Sequence, residues 1–387
     1  MLKIRSFFSS FLLLFISQSV ADASSPMRVT IVGGTHGNEY TGVWCIKSLD
    51  RRLSSSESTS TNNNNNNNPK KLYPHLEIST LLGNPQAHQE NKRFVDEDLN
   101  RQFSYKALVE EFSSSLESKR AREINQLLGP KNFDEKNCNS DATKTTSDVV
   151  IIDLHTTTTN MGVTLIVGEG DPLMTRCAAY IVQKLRSSDD NRVSVLMHTH
   201  KDQKSRPNVA SIVPHGLSIE VGPVPQGVIR HDVVEKTQQA LEAALEFLER
   251  TQQQQQQQQQ THPDELEKEL RQSFPNGQVP CYRSAPAKRA GEMSSKIPWP
   301  CDSQNLNFPA WMVHKSVQDA DFQEIEKGDP LFVDLDGKVI PYDGSHGSPV
   351  LLMFINEGGY YYSSSGTGIS VAVRDKYSLE TGKLIVE

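Results

Sequence analysis

Between residues 28 and 250, six short runs rich in β-branched residues alternate with segments whose apolar residues recur at spacings of three and four. The runs are RVTIVGG, LEISTLLGNP, VVIIDLHTTTT, TLIVGEG, VSVLMHT and LSIEVGP, each closing on Gly, Pro, Asn or Thr. The helical segments are NEYTGVWCIKSLDRRL, YKALVEEFSSSLESKRAREINQLL, DPLMTRCAAYIVQKLRSS and RHDVVEKTQQALEAALEFLER. Such alternation predicts an α/β domain with a mostly parallel central sheet and helices on both faces. The continuous apolar character of the runs predicts strands buried on both sides.

Two homopolymer tracts interrupt this pattern, Asn62–Asn68 and Gln252–Gln260. Both read as disordered polar segments, an Asn-rich insertion near 54–70 and a Gln-rich linker over 251–261. The first interrupts an α/β domain over 27–250, and the second closes it. From residue 262 to 387 the texture changes to closely spaced β-branched and aromatic runs, with Asp336-Gly337 between LFVDL and KVIPY as a hairpin signal. This part reads as a smaller β-rich C-terminal domain that covers the active site. Ahead of both domains, residues 1–23 carry Lys3 and Arg5, an apolar core from Phe7 to Ile16, and Ala21-Asp22-Ala23. That order is the pattern of a secretory signal peptide cleaved after Ala23. Its apolar core is far shorter than the ~20 residues of a spanning helix, so no stable membrane span is expected.

Charge excludes one class of partner. Forty basic against 47 acidic residues give −7, without a lysine or arginine stripe, so nucleic acid is not an expected partner. The five cysteines, at 45, 138, 177, 281 and 301, are odd in number and form no C-x-x-C pair, which points to neither a zinc ribbon nor a disulfide framework.

Chemistry-bearing residues collect at the predicted carboxyl ends of the runs, where open α/β sheets bind ligands. RVTIVGG is followed by His36 and Glu39, three apart; VVIIDLH delivers His155; LSIE delivers Glu220. Two imidazoles and one carboxylate are a recurring ligand set for catalytic zinc that leaves a position open for water. The set suits zinc better than calcium or magnesium, and leaves iron and manganese open. Asp153 shares His155's face by strand alternation, either to orient that imidazole from behind or as a plain strand-end acid. Thr156 to Thr159 shape the following loop. His198, His200 and His215 lack a partner motif and read as ordinary polar residues.

Four motifs in order, GGTHGNEYTG, NKRFVDEDLNRQF, DLHTTTTNMG and IEVGPVPQGV, resemble the aspartoacylase group of zinc amidohydrolases, relatives of the zinc carboxypeptidases. The resemblance runs from about residue 28 to 362. It implies one Zn2+ per chain held by His36, Glu39 and His155, with Glu220 as general base and Arg93 polarising the scissile carbonyl. It also implies Asn100 and Arg101 on the substrate carboxylate, and Tyr360 of NEGGYYY reaching in from the C-terminal domain. The implied substrate is a small N-acyl amino acid, N-acetyl-L-aspartate above all, and the implied assembly is a homodimer. The family is usually cytosolic, whereas the leader points to the secretory pathway.

The pattern departs from aspartate-selective members at two places. The arginine expected ten positions before the general base is Ala210, and the lysine expected four after the tyrosine is Ser364. Lys201, Lys204 or Arg206 are the nearby cations that could substitute. Deacylation of N-acyl aromatic or neutral amino acids is therefore a rival reading, as is metallocarboxypeptidase cleavage. A non-catalytic zinc-binding or interaction protein is the third; an open ligand set beside Glu220 argues against it, since structural zinc sites are closed by a fourth ligand. Asp96, Glu97 and Asp98 are alternative, structural partners for Arg93 and Arg101.

Overall fold

The computed structural model describes residues 25–54, 69–109, 113–131, 149–186, 192–199, 202–257, 265–285, 296–298, 309–362 and 368–385. The leader, the Asn tract, Cys138, Cys301, His200, Lys201 and Ser364 lie outside the described residues.

Six strands build the catalytic sheet: β1 (Met27–Gly33), β2 (Leu76–Leu82), β3 (Val149–Thr156), β4 (Gly162–Gly168), β5 (Val193–His198) and β6 (His215–Gly222). Their order is β2-β1-β3-β6-β4-β5, with every neighbouring pair parallel except β4 and β6. The alternation of β3 divides its side chains between two cores. Val150, Ile152 and Leu154 pack under the helices Tyr40–Ser54, Pro172–Leu185 and His231–Gln257. Val149 and Ile151 pack on the opposite face with Leu99, Phe103, Ala121, Ile124 and Val209. Asp153 and His155 continue this second face towards the strand's carboxyl end.

Close approach of the first helix depends on two glycines. A Cβ on Gly33 would sit 2.5 Å from the Gly42 carbonyl oxygen, and one on Gly42 would sit 2.7 Å from that of Leu154. Without these side chains the helix start lies directly on β1 and β3, which places Glu39 over the sheet.

The remaining strands are β7 (Gln278–Ser284), β8 (Lys296–Pro298), β9 (Trp311–Val313), β10 (Glu324–Ile325), β11 (Pro330–Asp334), β12 (Val339–Pro341), β13 (Val350–Met353) and β14 (Gly368–Ser378). β7 pairs with β5, and β14, β13 and β10 follow in antiparallel sequence, with β8 also on β14. One sheet therefore runs from the catalytic layer into the C-terminal part. A separate three-stranded sheet, β12-β11-β9, contains the hairpin at Asp336-Gly337, where Gly337 adopts φ 79°.

Three expectations need correction. β2 is an edge strand with alternating exposure, because β1 is its sole sheet neighbour among the described residues. The Gln tract is no disordered linker at its start: the helix His231–Gln257 runs into it, and Gln252, 1% exposed, donates to the Ser25 carbonyl at 3.1 Å. Glutamine is a good helix former, so an amphipathic helix extends into the tract at little cost. Third, the boundary at 262 cuts through a core, since Leu266, Leu270, Phe274, Val279, Cys281, Tyr377 and Leu379 pack in the main catalytic cluster. The C-terminal part has its own smaller core around Val317, Leu331, Phe332, Tyr342, Leu352 and Ile369. Cys45, Cys177 and Cys281 are buried and free. No helix among the described residues is long and apolar enough to cross a membrane.

Candidate active site

His36 and Glu39 stand in the turn between β1 and its helix, closed by the Glu39 amide donating to the His36 carbonyl at 3.1 Å. His155 arrives from the end of β3. One donor atom from each of these three buried residues lies within 4.8 Å of the others. Each imidazole has the same two-sided setting. Nε2 of His36 faces Asp98 at 3.0 Å and Nε2 of His155 faces Asp153 at 2.6 Å, while the two Nδ1 atoms face Glu39 at 2.6 and 3.0 Å. Asp153 is thus a positioning acid rather than a plain strand end, and Thr35 Oγ1 donates to its other oxygen at 2.7 Å.

With Nε2–H given to the outer carboxylates, Nδ1 of both rings and both oxygens of Glu39 form a nest of acceptors. Such a nest requires a cation between its members. Burial opposes charge on both rings, yet Asp153 and Glu39 hold His155 well above the ordinary imidazole value, and Glu39 and Asp98 hold His36 above it against Arg93. Burial likewise opposes ionisation of Glu39, but the two imidazoles hold its carboxyl below the usual range. A divalent metal fits the same place, with outer carboxylates orienting its ligands.

Glu220 pairs in register with His155 across β6 and β3 and shares its face. Burial pushes its carboxyl up to about 8, helped by the charges of Glu39 and Glu357 and opposed by the histidines. Arg93 donates to Glu39 at 3.3 Å and to Asp98 at 3.2 Å, so Asp98 is its partner, as the structural alternative held. Asp96 and Glu97 are not: their carboxylates accept from the Leu116 amide and from Ser113 Oγ, each at 2.7 Å, while their amides donate to Glu117 at 3.1 and 3.2 Å. Asn100 Nδ2 lies 3.4 Å from Nε2 of His155, and its oxygen accepts from the Val209 amide at 3.0 Å. Arg101 is exposed, with Nη1 donating to the Asn100 carbonyl at 3.0 Å. Of the three tyrosines, Tyr360 turns inward, its hydroxyl pushed up to about 12 by burial, whereas Tyr361 is exposed.

Sequence reasoning missed three contributors. Glu117, fully buried, gathers the amides of Val95, Asp96 and Glu97 and the Asn84 side chain, and so shapes the loop that presents Arg93 to Arg101. Glu357 accepts from Thr157 Oγ1, the Thr158 amide at 3.0 Å and the Gly359 amide at 2.8 Å, fastening the C-terminal part onto the loop after His155. Its place in NEGGYYY, beside the tyrosine already singled out, was the available signal. Lys296 on β8 sets its ammonium 3.3 Å from the centroid of the Tyr360 ring. Burial and the charges of Arg101 and Arg93 push it down to about 8, which places a third cation at the mouth.

The loop cations are engaged elsewhere. Arg206 donates to the Glu169 carbonyl at 3.3 Å, Lys204 lies over the Tyr105 ring at 5.7 Å, and Ala210 is buried in the apolar cluster of Val209 and Ile212. His215 pairs with Asp171 at 3.0 Å, an ordinary polar residue as expected.

A mostly parallel sheet with two imidazoles and two carboxylates at its strand ends, joined to a β-rich C-terminal part, defines the zinc carboxypeptidase-like class of folds. Within that class the chain belongs to the succinylglutamate desuccinylase/aspartoacylase family, whose catalytic-domain profile matches residues 26–248 and whose barrel-sandwich hybrid profile matches residues 292–368. It is 32% identical over 335 residues to a probable aspartoacylase of Nostoc sp., covering 86% of this chain and 92% of that protein. It is 29% identical over 361 residues to the N-acyl-aromatic-L-amino acid amidohydrolase (carboxylate-forming) A of Danio rerio, covering 93% and 92%. The crystal structure of murine aminoacylase 3 superposes with a TM-score of 0.68 at 24% identity, covering 94% of this chain and 99% of that one.

Proposed function

We propose that the chain is a zinc-dependent hydrolase that removes the acyl group from N-acyl amino acids. The observation that carries this reading is the acceptor nest of His36, Glu39 and His155, with Glu220 in register beside it. Relatives named as a probable aspartoacylase and as an N-acyl-aromatic-L-amino acid amidohydrolase, both matched over nearly their whole length, support the amide as the bond cut.

His36, Glu39 and His155 would hold one zinc ion per chain. Bound zinc supplies a Lewis acid and a water of lowered pKa. Glu220 takes a proton from the attacking water and delivers it to the amide nitrogen as the carbon–nitrogen bond breaks. A dication beside it favours the carboxylate form, countering the burial that raises its pKa. Arg93 stabilises the charge that grows on the carbonyl oxygen. Asn100 and the fork of Arg101 take the substrate carboxylate, and Tyr360 borders it.

A second reading concerns the side chain. Ala210 sits in an apolar cluster while Arg206 and Lys204 are engaged elsewhere, which favours neutral or aromatic side chains over aspartate. A kinetic panel of N-acetyl-aspartate, N-acetyl-glutamate, N-acetyl-tyrosine and N-acetyl-methionine, beside a peptide with a free carboxyl end, tests both readings. Deacylation of any of the four supports the first, and their ranking decides the second. Peptide cleavage alone would favour a carboxypeptidase.

Two proposals rest on sequence and resemblance. Residues 1–23 direct secretion and are removed, so the native protein begins near Ser24; an intact Met1 on purely cytosolic protein would reject this. The enzyme is a homodimer, which sedimentation would check.

A further inference from the structure

Lys131 is 2% exposed, yet among the described residues no carboxylate pairs with it. Its Nζ donates to the Phe103 carbonyl, the Arg206 carbonyl and Ser211 Oγ, each at 2.7 Å, from positions 28, 75 and 80 residues away. The Ser211 hydroxyl is itself a donor to the Asn208 carbonyl at 2.6 Å, so it meets Lys131 as an acceptor. A cradle of three acceptors is filled by an ammonium with three donors. A neutral amine offers two, and an apolar side chain none.

The two segments held together in this way are those that set the substrate-carboxylate arm. Phe103 ends the turn that carries Asn100 and Arg101, and its amide donates to the Pro207 carbonyl at 3.0 Å. Tyr105 donates to the Lys204 carbonyl at 2.8 Å. On the other side, the Val209 amide donates to the Asn100 side-chain oxygen at 3.0 Å, which aims the amide nitrogen at His155. Lys131 touches neither Asn100 nor any metal-ligating residue. Its effect passes through the Arg206–Ser211 segment.

We propose that Lys131 is a positioning residue, an internal cation that locks residues 206–211 onto the Leu99–Phe103 turn and so fixes Asn100 and Arg101 for the substrate carboxylate. The inference rests on the reading of the chain as a hydrolase of N-acyl amino acids. The lock is sensitive to pH. Burial and the Arg206 guanidinium push Lys131 down to about 7, with Asp202 opposing them, so the third donor is lost as pH rises through neutrality. One oxygen of the cradle then loses its charged donor, and the segment loosens.

The test is a pair of measurements on zinc-loaded full-length protein, wild type and Lys131→Met, from pH 6 to 9. In the wild type, KM for the best N-acetyl amino acid rises with pH. In the variant, KM is about tenfold higher already at pH 6, with no further rise attributable to this group, while kcat falls less and zinc content is unchanged. Hydrogen-exchange protection of the Phe103 and Val209 amides, corrected for intrinsic rates, falls in the same way: with pH in the wild type, and at every pH in the variant. A wild-type KM and protection that are flat from pH 6 to 9 would overturn the proposal, and this needs no variant to fold. So would a variant that loses zinc and kcat together at unchanged KM, the mark of a mere fold support. If no N-acyl amino acid is hydrolysed but protection follows the predicted course, the functional reading fails and the lock stands.

Discussion

The proposed ligand centre and the proposed substrate-carboxylate arm are neighbours built to opposite standards. At the centre, His36, Glu39 and His155 are each less than 5% exposed, and each imidazole is held on both sides by carboxylates at 2.6 to 3.0 Å. In the arm, Arg101 is exposed and bonded to the carbonyl of its own neighbour, and Asn100 approaches His155 at 3.4 Å. The difference follows from what each must do. Ligands for a small cation must converge within a few tenths of an ångström, so their orientation is fixed by outer carboxylates. A guanidinium that waits for a substrate carboxylate gains its strongest partner on binding, and a rigid protein partner would compete for it.

The largest effect expected from this contrast is at the centre. Glu220→Gln preserves shape and zinc but cannot accept the water's proton, so kcat falls by ~10² to 10⁴-fold with KM little changed. Near-normal turnover in that variant would remove Glu220 from the chemistry. Asp153→Ala tests the outer support. Without the carboxylate the His155 Nε2 proton loses its acceptor, and zinc affinity falls by about 10 to 100-fold, read by competition with a chelator. Unchanged affinity would mean that the 2.6 Å contact does not orient the ring. The smallest effect belongs to the arm. Arg101→Lys keeps the charge and loses the fork, raising KM by about three- to tenfold with zinc content unaltered. If instead it lowers zinc content, centre and arm are not separable.

Legibility in the sequence divides along similar lines. His36, Glu39, His155 and Glu220 could be found because strand ends fix where a side chain emerges, and strand ends are marked by apolar runs closing on glycine or threonine. Arg93 could be found, but not its partner among three consecutive acids, since register in the NKRFVDEDLNR loop is set by Glu117 from a helix 20 residues on. Lys131 is invisible for the same reason, since the groups it holds lie 28 to 80 residues away, and Glu357 is marked only by its place beside Tyr360, the threonines it holds lying 199 and 200 residues back. The buried start of the Gln tract was misread because composition describes a free segment, whereas here a 27-residue helix already packed on the sheet extends into it. The boundary at 262 failed because one sheet crosses it through β5 and β7.

If a metal held by His36, Glu39 and His155 drives amide hydrolysis, metal content and activity rise and fall together. Elemental analysis of purified wild type and His155→Ala, with N-acetyl amino acid hydrolysis assayed on the same samples, tests it most directly. The wild type is expected to carry about one zinc per chain and to be active. The variant loses both, and wild-type activity is lost on chelation and restored by zinc. Full zinc occupancy or retained hydrolysis in His155→Ala would contradict it.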